Sequence, residues 1–230
     1  MGRVHVKICG ITTIEDAVEA IDAGADAIGL NMVSGPREID AARAAEILSI
    51  IHEANESNSG VRPEPVMLVN AADAVACNES LVLARRFAVR TIQLYGDDRG
   101  EHIGRLGDEG FKIWLPHAVQ PGHFPDSLHQ LLAQLSQPPT GVVLDAHHHR
   151  LAGGTGIALD WRRVRDAIGE ADHWPPIILA GGLTPDNVAE AIRIVQPYAV
   201  DVSSGVEMEP GRKDAERMTR FVQSVRGSEW

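Results

Sequence analysis

Eight short apolar runs recur along this chain, and helical patterns separate them from end to end. Candidate strands are VHVKIC at 4–9, DAIGLN at 26–31, PVMLVN at 65–70 and RTIQLY at 90–95. FKIWL at 111–115, GVVLD at 141–145, PIILA at 176–180 and YAVDVS at 198–203 complete the set. Helical periodicity is plain at 14–24, 41–54, 80–87, 127–135, 185–195 and 214–225, and segments 98–109 and 160–168 fill the two remaining slots. Eight strands, each followed by a helix, give the element order of a closed parallel (β/α)8 TIM barrel. A doubly wound open sheet is the competing architecture. Eight nearly even repeats with no break in composition favour closure, with one domain over residues 1–230.

Local signals agree with that count. Thr12-Thr13-Ile14-Glu15 reads as a capping box, and Thr184-Pro185 places a hydroxyl before a first-turn proline. CGITTIEDAVEAI and GGLTPDNVAEAI echo one another in a Gly-apolar-Thr turn followed by Glu-Ala-Ile. The polar stretch EANESNSGVRPEP at 53–65 reads as a long surface loop. A formal charge of −11 argues against a nucleic-acid surface or a polybasic membrane contact, though backbone N–H groups can still bind an anion. Two cysteines, Cys9 and Cys77, far apart and in no metal-like spacing, suit a reducing cytoplasm. With no apolar leader and no membrane-length run, the expected location is the cytoplasm.

Strand parity then selects which side chains can meet. In the first strand Val4, Val6 and Ile8 suit the helix layer, so His5, Lys7 and Cys9 point into the barrel. By the same rule Val143 and Asp145 point inward on the sixth strand, and Ala199, Asp201 and Ser203 on the eighth. Cys9 and Asp145 therefore end barrel strands on the rim where such barrels build active sites, and they suit an acid–base pair. Each has a plainer reading: the cysteine as a small buried hydrophobe, the aspartate as a helix cap. A lysine inside a barrel is costly unless paired. Lys7 is therefore expected to pair with Asp201, or with another inward acid, and to favour the Cys9 thiolate.

Glycine clusters follow the last three strands: Gly153-Gly154-Thr155-Gly156, Gly181-Gly182 and Ser203-Ser204-Gly205. Such loops let main-chain N–H groups approach a phosphate, and the ends of strands seven and eight are its usual place. The candidate phosphate contacts are Gly154, Gly156, Gly181, Gly182, Ser203, Ser204 and Gly205. His147, His148 and His149 draw attention as a metal site. Consecutive residues do not readily surround one ion, however, and no matched partner flanks them. Residues 146–152 read instead as a polar lid, with no metal.

VKICGIT at 6–12, LDAHHHRLAGGTGIALDW at 144–161, LAGGLTPDNV at 179–188 and AVDVSSGVEMEPGRKD at 199–214 together resemble the phosphoribosylanthranilate isomerase family of tryptophan biosynthesis. The resemblance spans the whole chain. It implies an Amadori rearrangement of N-(5-phosphoribosyl)anthranilate to 1-(2-carboxyphenylamino)-1-deoxyribulose 5-phosphate, with no cofactor or metal. It implies Asp145 as general acid, Cys9 as general base, Arg37 as the holder of the anthranilate carboxylate, and Asp201 as an orienting group. Lys7, Gln93 and Tyr95 are the further substrate-binding candidates. The chain departs from the family pattern in GLNMVSGPRE after strand two, in Tyr95 where a histidine is usual, and in KIWLPHAV on strand five. Another phosphosugar isomerase or epimerase, or a phosphosugar-binding paralogue without activity, are the alternatives. An aspartate pair on strands one and five would mark the histidine-pathway isomerase, but here strand one ends in Cys9. The partner is a phosphorylated small molecule, and both monomer and homodimer remain open.

Overall fold

The computed structural model describes residues 3–56, 62–96, 99–119, 123–145, 160–170 and 174–228. Eight parallel strands close into a barrel: β1 (His5–Cys9), β2 (Ala27–Asn31), β3 (Glu64–Asn70), β4 (Thr91–Tyr95), β5 (Lys112–Ala118), β6 (Gly141–Asp145), β7 (Ile177–Leu179) and β8 (Ala199–Val202). Pairing of β1 with β8 completes the ring. A helix follows each strand: α1 (Ile14–Asp22), α2 (Ala41–Glu56), α3 (Ala74–Arg86), α4 (Arg99–Asp108), α5 (Asp126–Ala133), α6 (Trp161–Glu170), α7 (Val188–Val195) and α8 (Ala215–Arg226).

The two cores follow the pleat. Val4, Val6, Ile8, Val142, Leu144, Val200 and Val202 pack between sheet and helices. Cys9, Val66, Leu68, Trp114, Val143, Ile178 and Ala199 fill the barrel interior. Successive residues of a strand face opposite sides, so the expected parity holds on strands one, six and eight. Trp114 is the large plug of the interior. The glycine facing it, Gly141, makes the room: a Cβ there would lie 3.0 Å from Trp114 Cδ1 and 2.7 Å from Ile178 Cδ1.

Helix starts differ from the sequence expectation in three places. The hydroxyl of Thr13, not Thr12, caps α1 by accepting from the Asp16 N–H at 3.0 Å. Thr12 instead donates to the Gly211 carbonyl. After β7, residues 184–187 form a turn in which Asn187 Oδ1 accepts from the Thr184 N–H, so α7 begins at Val188, beyond Thr184-Pro185. Gly10 (φ +73°) and Gly182 (φ +69°) share the left-handed conformation that glycine tolerates. The sequence echo thus holds at these turns and fails at the caps. Helix α3 starts six residues ahead of the expected 80, because Asp73 caps it by accepting from the N–H groups of Val75 and Ala76. The stretch 53–65 is not all loop: α2 runs to Glu56 and β3 begins at Glu64.

Three short elements were not foreseen. After β8 come a 3-10 turn (Ser204–Val206) and a small antiparallel hairpin, β9 (Glu207–Glu209) with β10 (Arg212–Lys213). Among the described residues no helix is long and apolar enough to cross a membrane.

Candidate active site

Lys7 sits at the base of the site. Strand register sets it level with Asp201 on the neighbouring strand, and both side chains turn into the barrel. Lys7 Nζ donates to Asp201 Oδ2 at 2.7 Å, with the lysine side chain fully buried and the aspartate 8 % exposed. This is the ion pair that parity called for. Burial alone would lower the lysine's pKa, but the charges and hydrogen bonds of Asp201 and Cys9 outweigh it and hold Lys7 above 10.5. Lys7 is charged.

Cys9 lies one strand repeat above, at the end of β1, and is buried. Room for it comes from Gly29 on β2, where a Cβ would lie 2.7 Å from Cys9 Sγ and 3.1 Å from Lys7 Cε. Burial pushes the thiol up from 9.0, and the ammonium groups of Lys7 and Lys213 pull it back only in part. The expected bias of Lys7 toward the thiolate is present, but burial outweighs it in the free protein. In a Cys77→Ser background, titration of thiolate absorbance should therefore give a midpoint above 9.0 for Cys9. A midpoint below that would contradict this account.

Asp145 ends β6 at the same mouth. From β4, Gln93 Nε2 donates to the Tyr95 hydroxyl at 2.8 Å. Burial, followed by the nearby Cys9, Asp201 and Asp145, drives the Tyr95 phenol well above its ordinary pKa, so it stays neutral. Two buried acceptors of the interior, Gln93 Oε1 and Asp201 Oδ1, have no hydrogen-bond partner among the described residues. A buried acceptor without a donor is costly, and a ligand hydroxyl at this mouth would relieve it.

Arg37 comes over the mouth from the loop after β2. Its stem lies against Gly10, where a Cβ would sit 2.4 Å from Arg37 Cδ. The guanidinium is already engaged, donating from Nε and Nη2 to the two oxygens of Glu207 at 2.6 and 2.7 Å. Lys213 Nζ reaches the same carboxylate at 2.7 Å and contacts Ser203 O and Oγ at 3.3 Å. Sequence reasoning missed Gly29, Glu207 and Lys213. The last two lay inside the quoted motif AVDVSSGVEMEPGRKD, but nothing in its pattern showed that the hairpin would bring them together under Arg37.

Of the phosphate candidates, Gly181, Gly182, Ser203, Ser204 and Gly205 belong to adjacent loops that touch. A Cβ on Gly205 would come 1.9 Å from the Leu183 carbonyl oxygen, an approach only glycine allows. Gly205→Ala should force these loops apart, costing about 1–3 kcal/mol of stability and weakening competitive inhibition by inorganic phosphate. Thermal melting and inhibition kinetics check both. Gly154 and Gly156, and with them His147, His148, His149 and the expected lid, lie outside the described residues.

A closed (β/α)8 barrel with buried ionisable groups gathered at the C-terminal ends of its strands has the build of a barrel enzyme. Residues 6–224 match the family model described as N-(5'phosphoribosyl)anthranilate (PRA) isomerase. An N-(5'-phosphoribosyl)anthranilate isomerase of Acidithiobacillus ferrooxidans is 40% identical over 230 residues, covering 99% of this chain and 100% of that protein. The crystal structure of the Thermotoga maritima phosphoribosyl anthranilate isomerase superposes with a TM-score of 0.77 at 28% identity, covering 97% of this chain and 99% of that one. A further structure of such an isomerase, in complex with reduced 1-(o-carboxyphenylamino)-1-deoxyribulose 5-phosphate, gives 0.76 at 27% identity and covers 97% of this chain and 99% of that one. The chain belongs to the phosphoribosylanthranilate isomerase family. It is an isomerase of tryptophan biosynthesis, an intramolecular oxidoreductase of the aldose–ketose type.

Proposed function

We propose that the chain opens N-(5-phosphoribosyl)anthranilate and isomerises it to 1-(2-carboxyphenylamino)-1-deoxyribulose 5-phosphate, with Asp145 as general acid and Cys9 as general base. The observation that carries this reading is the placing of both groups on the barrel mouth, Cys9 above the buried Lys7–Asp201 pair. Asp145 gives its proton to the furanose ring oxygen as the C1–O bond breaks. The anthranilate nitrogen lone pair becomes the C1–N double bond of an iminium ion. That cation withdraws electrons from C2, so the C2–H bond becomes acidic enough for a thiolate to take the proton. The resulting enolamine tautomerises to the ketone.

The ammonium groups of Lys7 and Lys213 beside Cys9 favour the thiolate form in which it works as base. Arg37 receives the aryl carboxylate, and Asp201 and Gln93 accept from the sugar hydroxyls through the oxygens left over in the buried interior. Tyr95 lies against the aromatic ring. The loops of Gly181, Gly182, Ser203, Ser204 and Gly205, with Gly154 and Gly156, take the phosphate through main-chain N–H groups.

We place this activity in the cytoplasm, in one domain over residues 1–230. The test is loss of phosphoribosylanthranilate fluorescence on adding the protein. No turnover of that substrate, with the protein folded, would return the field to another phosphosugar ligand.

A further inference from the structure

Glu207 is a carboxylate that joins two separate loops of the mouth. It opens β9, and the hairpin register places it across from Lys213. Its side chain is 4 % exposed and that of Lys213 is fully buried. Oε1 receives both Arg37 Nε, at 2.6 Å, and Lys213 Nζ, at 2.7 Å, and Oε2 receives Arg37 Nη2. From Lys213 the contacts run on to Ser203. A single carboxylate thus ties the arginine of the β2 loop to the serine loop after β8.

Stability alone is a poor reason for such a cluster, since well-packed apolar side chains commonly match or exceed a buried ion pair. Its geometry suggests another use. A guanidinium carries five N–H donors in a planar fork. Glu207 takes one of its edges, through Nε and Nη2, which fixes the plane and leaves the Nη1 side for a second carboxylate. Burial opposes ionisation of Glu207, but hydrogen bonds and charge from Arg37 and Lys213 outweigh it and hold the carboxyl below its ordinary value. The anchor therefore stays anionic through the neutral range.

We propose that Glu207 is a positioning residue that sets the distance between the two anion-binding ends of the site. It holds the Arg37 guanidinium for the aryl carboxylate and, through Lys213, the Ser203 loop for the phosphate. This rests on the reading that Arg37 and the Ser203–Gly205 loop bind those two groups. The substrate carries both anions on one frame, so a wrong spacing weakens its binding more than it weakens the binding of either fragment.

The experiment is steady-state kinetics with phosphoribosylanthranilate on Glu207→Gln, Glu207→Asp, Arg37→Ala and the double variant Arg37→Ala/Glu207→Gln. Glu207→Gln keeps the shape and loses the charge. It should raise KM about tenfold or more with kcat changed less than about threefold, the mark of lost uniform binding. Glu207→Asp keeps the buried cations neutralised, and so the fold, but is one methylene too short to hold both partners. Its KM should also rise. In the double variant, the rise in KM should exceed that of Arg37→Ala alone but fall short of the product of the two single rises, because Glu207 acts partly through Arg37 and partly through Lys213. A folded Glu207→Gln with unchanged KM, full rescue by Glu207→Asp, or additive losses in the double variant would each overturn the proposal. An unchanged KM in Arg37→Ala would instead overturn the reading of Arg37 itself, and the proposal with it.

Discussion

Replacing Cys9 with alanine is expected to lower kcat by about 10²–10⁴-fold, the range for loss of a positioned general acid or base, while KM changes little. Asp145→Asn should do the same. The reasoning is chemical: neither side chain is assigned a ground-state contact that holds the substrate, so each acts chiefly when a proton is in flight. Alanine at position 9 leaves a small void beside Gly29 and Lys7, where a Cβ on Gly29 would otherwise meet the sulfur. The variant should therefore fold. Fluorescence turnover, with circular dichroism confirming the fold, measures the effect. Full activity in either variant would end the proposed acid–base assignment.

The second large effect falls on stability. Lys7→Met leaves Asp201 buried without its ammonium partner, while Asp201 Oδ1 already lacks a hydrogen bond among the described residues. Breaking one member of a buried pair costs about 3–5 kcal/mol. A chain of this length loses about 2–4 °C of melting temperature per kcal/mol, so the melt should move down by roughly 6–20 °C. Lys7→Met/Asp201→Leu removes both charges and should recover most of the loss without recovering activity. A melt that does not move in the single variant would mean that the pair is not dry. The sign follows from burial: an isolated carboxylate is more costly inside the barrel than a pair.

Much of the frame was legible because period-two patterning is strong in fully buried strands. The parity of three residues, Val4, Val6 and Ile8, was enough to turn Lys7 and Cys9 inward. Helix starts were less legible. Thr13 and Asn187 act through local hydrogen bonds that compete with equally plausible neighbours such as Thr12 and Thr184. The Arg37–Glu207 contact was out of reach for a different reason. Its partners stand 170 positions apart, one on a loop and one on a short hairpin, and no periodicity links them. Gly29 was missed likewise, since its value lies in what the adjacent strand presents to it.

Lys7 and Asp201 come from the first and last strands of the barrel, 194 positions apart. During synthesis β1 therefore emerges carrying a charge whose counter-ion has not yet been made. Until β8 arrives, burying that lysine costs the desolvation of an unpaired charge, which favours a hydrated inner face of β1. A nascent fragment that stops short of Asp201 bears that cost in full. Closing the ring therefore also supplies the first strand with its counter-ion, which couples the last strand directly to the first.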